Sequence, residues 1–84
     1  MIDQVPWSYF DQAVRVRLGD EVGRIVSVGE ALDWIRGEWP DVQARFRHAE
    51  ALLRQAVETR TRDDVAAARE AFASALSFEN LLVQ

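Results

Sequence analysis

Apolar residues alternate with arginines along Ala13-Val14-Arg15-Val16-Arg17-Leu18, which places Val14, Val16 and Leu18 on one face of an extended chain and Arg15 and Arg17 on the other. The pattern predicts a half-buried strand. Gly19-Asp20-Glu21-Val22-Gly23 supplies turn chemistry, and Arg24-Ile25-Val26 returns as a second strand, so residues 13–26 are expected to form a β-hairpin. From Ser27 the period becomes helical. The Ser27 hydroxyl can accept from the N–H three residues on while Glu30 reaches back, which starts a helix over about 28–37. Its stripe is Val28, Ala31, Leu32, Ile35 and Trp39, and Gly37 with Trp39-Pro40 ends it in a sharp turn.

A second helix is predicted over about 40–58, with Val42, Phe46, Ala49, Leu53, Ala56 and Val57 on one side and Arg47, Glu50, Arg54 and Glu58 on the other. That charged set reads as a solvated ladder. Thr61 is the expected N-cap of a third helix over about 62–78, where Asp63 and Asp64 suit the positive end of the helix dipole. Its stripe is Val65, Ala68, Ala71, Phe72, Ala75 and Leu76, with Glu70, Ser74 and Ser77 turned to water. The expected fold class is α+β, an N-terminal hairpin packed against three helices in a single small domain spanning 1–84. Residues 1–12 form an N-terminal arm and 79–84 a tail. That tail, with Leu81-Leu82-Val83, is apolar enough either to continue the helix into a contact or to dock on a partner.

Composition narrows the chemistry. With 49% hydrophobic and 29% charged residues, the 84-residue chain has the make-up of an ordinary globular domain. Its net charge of −4 argues against coating nucleic acid or an anionic membrane. All ten basic residues are Arg and there is no Cys, which excludes lysine Schiff bases, thiol nucleophiles, disulfides and Cys-ligated metals. No window reads as a signal peptide or a membrane span, so a cytoplasmic location is expected by default.

Several local features resemble one family. They are the extended Ala13-Val14…Val16 segment, Gly23-Arg24, Ser27 and Ala31, Trp39-Pro40, Ala49 and Ala56, and Ala68-Arg69-Glu70-Ala71-Phe72. Together, over about 10–76, they resemble the short bacterial proteins grouped as domain of unknown function number nine hundred and eighty-two. The resemblance implies a small α+β fold and brings no catalytic residue with it. The chain departs from the family's pattern at Ala44-Arg45, where a glycine is expected early in the second helix, and at Glu58-Thr59-Arg60, where a glycine often closes it.

His48 is the one histidine, and its helical neighbours Ala44, Arg45, Ala51 and Leu52 include no carboxylate to orient it, so it reads as structural. Asp20-Glu21 and Asp63-Asp64 have turn and helix-start explanations, and no glycine loop opens a helix after a strand. The expectation is a non-enzyme without catalytic, metal or cofactor residues. Arg45 and Arg69 lie beside apolar stripes, which suggests either an internal ion pair, for Arg69 with Glu30 or Asp33, or a small-anion site. Residues 41–62 hold five Arg against Asp41, Glu50 and Glu58. With Arg15, Arg17 and Arg24 beside Trp7 and Tyr9, a single-strand-binding surface is the alternative, though interleaved acids and the overall charge oppose nucleic acid.

Trp34 falls about 100° off its helix's stripe, and Trp7 and Tyr9 lie in a segment without periodicity. Either the N-terminal arm covers Trp34 or a partner protein does. This apolar surplus, the tail and the unpaired edges of a two-stranded hairpin together predict a symmetric homodimer, joined edge to edge or through its helices. Arg45, Arg69, Trp34, Trp7 and Tyr9 are thus the candidate interaction or anion-binding residues.

Overall fold

The computed structural model of the chain describes residues 6–38 and 40–83. After a 3₁₀ turn at Pro6–Ser8 come two antiparallel strands, β1 (Tyr9–Leu18) and β2 (Glu21–Ser27). Four helices follow: α1 (Val28–Arg36), α2 (Pro40–Arg45), α3 (Arg47–Thr59) and α4 (Arg62–Phe78). The expected α+β class, a hairpin backed by three long helices, is the observed one, with the single turn α2 added.

The arginine alternation is realised in the strand. Val14 and Val16 are buried at 1% and 0% exposure while Arg15 and Arg17 face solvent; the Leu18 side chain and Trp39 lie outside the described residues. The turn is tighter than expected. Gly19 takes φ +66°, so Gly19-Asp20 alone closes the hairpin and β2 begins at Glu21, pairing Leu18 with Glu21, Val16 with Gly23, Arg15 with Arg24 and Val14 with Ile25. β1 also starts earlier, at Tyr9, through a register irregularity between Tyr9 and Val14 that buries Phe10. Arginines two helical turns apart on α4 satisfy carbonyls of this irregular stretch. Arg62 donates to the Tyr9 carbonyl at 2.9 Å and pairs with Asp11, and Arg69 Nε donates to the Gln12 carbonyl at 2.8 Å.

Helix starts follow the predicted caps. Ser27 Oγ accepts from the Glu30 N–H, and Glu30 reaches back to the Val26 N–H at 2.9 Å, one residue before the cap. Thr61 accepts from the Asp64 N–H. The second helix is not continuous. At Phe46 the backbone opens to φ −101°, ψ 13°, and its N–H bonds to the Gln43 carbonyl, a tightened turn that separates α2 from α3. Packing explains the break. Gln43 Nε2 donates to the Arg36 and Glu38 carbonyls, tying α2 to the end of α1, while α3 must run along α4, and Phe46 sits fully buried where the two directions meet.

Where a glycine was expected to close this helix, Arg60 occupies the left-handed region at φ 57° and its N–H caps the Ala56 carbonyl. The strain of that non-glycine residue is offset by the Arg60 guanidinium stacking 5.8 Å from the Trp7 ring.

The last helix ends on Asn80 at φ 61°. The Asn80 N–H bonds to the Ser77 carbonyl and the Leu81 N–H to the Leu76 carbonyl, a Schellman arrangement in which Leu81 and Leu76 close the apolar side. The tail therefore neither prolongs the helix nor projects toward a partner. It reverses, pairs Leu82 with Val16, and exchanges bonds from the Arg17 N–H to the Leu81 carbonyl at 2.7 Å and from the Val83 N–H to the Arg15 carbonyl at 3.0 Å. The outer edge of β1, expected to stay unpaired, is covered by the chain itself.

Candidate functional site

The five residues singled out from sequence do not converge. Arg45 closes α2, with Nη1 at 3.0 Å from Glu79 Oε1 and Nη2 at 3.8 Å from Asp41, and so fastens that turn to the end of α4. Arg69 does not meet Glu30 or Asp33, because Glu30 is spent on the Val26 N–H and Asp33 pairs with Arg36; it serves the Gln12 carbonyl, with Glu70 at 3.8 Å. Neither arginine is left free as the core of a shared anion site.

Trp34 is no surface residue either. Its ring meets Phe46 edge-on at 5.3 Å and Phe72 at 5.8 Å, and those two rings are 6.0 Å apart. The wheel of α1 misplaced it because this helix is covered from two directions, by β2 on one side and by α3 and α4 on another. Its Nε1 is buried without a hydrogen-bond partner. Trp7 is half-buried under Arg60, and with Tyr9 it lines a hollow of about 390 Å³ shared with Val26, Glu30 and Val57. Arg15 and Arg24 line a different depression, so these basic residues are separated from the aromatic ones with which they were expected to form one surface.

Two other surfaces stand out. The first is an apolar groove of about 800 Å³ between α3 and α4, floored by Ala49, Leu52, Ala71 and Ala75, with exposed His48 on its wall. At its end Phe78 is 88% exposed, next to the Arg45–Glu79 pair. Phe78 was read only as the approximate end of a helix; the signal available was an aromatic residue two past Leu76, off the buried stripe. Val57, assigned to a buried stripe, is 41% exposed.

The second is the outer face of the sheet. Cross-strand register puts Arg15 directly opposite Arg24 and Arg17 opposite Val22, which is 53% exposed. Arg15, Arg17 and Arg24 make no ion pair among the described residues, and the outer edge of β2 has no strand beside it there. The alternation that predicted the strand already located these arginines. What it lacked was the register that sets two of them face to face. Among the described residues no three His, Asp or Glu side chains gather in a way that could hold a metal ion, and no helix is long and apolar enough to cross a membrane.

The fold defines a small α+β domain, a hairpin extended by its own tail and backed by helices. The chain belongs to the family of proteins of unknown function DUF982, whose model matches residues 12–83. The match begins two residues inside the 10–76 span of the sequence resemblance and runs past its C-terminal end to take in the tail. Neither the curated proteins nor the solved structures contain a match to the chain.

Proposed function

We propose that this protein is a non-catalytic interaction module that works as a homodimer joined through the α3–α4 groove. The observation that carries the reading is Phe78, an aromatic side chain 88% exposed at the rim of an apolar groove on the same face. A two-fold interface needs one surface that holds both a knob and a place to receive it, and this face has both. The alanines of the groove let a second copy approach closely. Edge-to-edge pairing is the weaker route. A full-overlap antiparallel pairing of Glu21–Ser27 with its own copy centres on Arg24 and sets two arginines against each other.

Light scattering behind a sizing column tests the reading. The parent chain is expected at twice its 9.6 kDa mass and Phe78→Asp at 9.6 kDa, with an unchanged circular-dichroism spectrum because the side chain makes so little contact in the monomer. A monomeric parent, or a Phe78→Asp chain that stays dimeric, overturns it.

A further inference from the structure

Two arginines directly opposite on neighbouring strands repel each other, and an anion that sits between or beside them relieves that repulsion. Arg15 and Arg24 stand in that relation on an exposed sheet face, with Arg17 two residues along and no carboxylate paired to any of the three among the described residues. The protein as a whole carries −4, so this cationic face is a local concentration against the molecule's own field. Beside it lies the edge of β2, open along Glu21–Ile25 among the described residues and closed at Val26, whose N–H is held by the Glu30 carboxylate, while the opposite edge of the sheet is taken around Arg15–Arg17 by the tail.

We propose that the β2 edge docks an extended acidic peptide of a partner protein, which adds to the sheet as a further strand. In an antiparallel or parallel addition the peptide's side chains alternate between the two faces, so those on the outer face meet Val22 and Arg24 in turn, and the added strand stops where Glu30 holds the Val26 N–H. A carboxylate opposite Arg24 forms the charge-assisted contact and relieves the repulsion from Arg15, and an apolar residue two positions to one side of it covers the exposed Val22. The recognised pattern is therefore an acidic residue with an apolar one two positions away, on the side that the strand direction selects. A second copy of the chain is disfavoured on this edge because it brings Arg24 to Arg24. Nucleic acid is disfavoured because the aromatic residues that could stack on bases, Trp7 and Tyr9, line a different hollow.

This inference rests on the interaction-module reading but not on the dimer, since the groove and the β2 edge come from different elements. The test is an amide-shift titration with a blocked nine-residue peptide whose central glutamate has valine at both second-neighbour positions and threonine elsewhere. Saturable shifts are expected along Glu21–Ile25, weakened about tenfold in Arg24→Gln and with a glutamine-centred peptide, and weakened by added salt. Phe78→Asp is expected to bind the peptide as the parent does, so a failed dimer leaves this result intact and a failed titration leaves the dimer intact. Arg24→Gln removes a repulsion at an exposed site and should melt no lower than the parent, which keeps loss of binding distinct from loss of fold. Absence of shifts on β2, equal binding by Arg24→Gln, or tighter binding of a ten-nucleotide oligothymidylate to the same face overturns the proposal.

Discussion

Trp34 packs its ring against the core, where three rings join α1, the α2–α3 junction and α4, and it carries a buried donor with no acceptor. An unsatisfied buried N–H costs roughly 1–3 kcal/mol, whereas removing a large core ring costs about 3–5 kcal/mol. The two substitutions that separate these effects are therefore expected to differ widely. Trp34→Phe keeps an edge-on ring and deletes the donor, so its stability in guanidinium unfolding should stay within about 1 kcal/mol of the parent. Trp34→Ala should lose about 3 kcal/mol or more. A Trp34→Phe loss of about 2 kcal/mol or more would mean that the indole's second ring or its N–H makes a contact that phenyl cannot replace. The helical wheel could not have found this residue. A wheel sorts residues by one buried direction, and α1 is packed from two.

The element that completes the sheet is the tail, and its geometry depends on Asn80. A β-branched residue held at φ near +60° costs about 1–2 kcal/mol, while glycine or asparagine adopts that conformation readily. Asn80→Val is accordingly expected to destabilise by about 1–2 kcal/mol and to speed hydrogen exchange at the Arg17 and Val83 amides, whose bonds hold the tail to β1; Asn80→Gly should do neither. Unchanged protection of Arg17 in Asn80→Val would mean the tail is not fixed by its turn. Sequence patterns revealed the elements with their own local cause: the β1 alternation, the Ser27 and Thr61 caps and the long stripe of α4. They did not reveal those decided by contacts distant in sequence. Three tail residues are too few to establish a period. The break at Phe46 follows from Gln43 gripping the end of α1, and the strand start at Tyr9 depends on carbonyls answered by Arg62 and Arg69 more than fifty residues later. The same division holds for the candidate surfaces. Arg15, Arg17 and Arg24 were visible in the sequence, but their pairing across strands was not, and Phe78 was recognisable only once the groove beside it existed.

At the scale of the molecule, an 84-residue chain has a limited core, and among the described residues fifteen buried apolar ones form a single cluster while Phe78 stays outside it. If two copies bury Phe78 against each other's α3–α4 grooves, association is linked to folding, and stability must rise with protein concentration. For a dimer of this size the unfolding enthalpy follows from about 0.7 kcal/mol per residue, so each tenfold increase in concentration is expected to raise Tm by about 4 °C. The parent chain, scanned by calorimetry from about ten to a few hundred micromolar, should show that slope. Phe78→Asp should show none, and its Tm should coincide with the value the parent approaches on dilution, because the substituted side chain touches little within one copy. A parent Tm independent of concentration removes the dimer. A slope that persists in Phe78→Asp keeps a dimer but moves its interface off the helices, and the β2 edge, where Arg24 would then face Arg24, becomes the surface to probe with Arg24→Gln at the same concentrations.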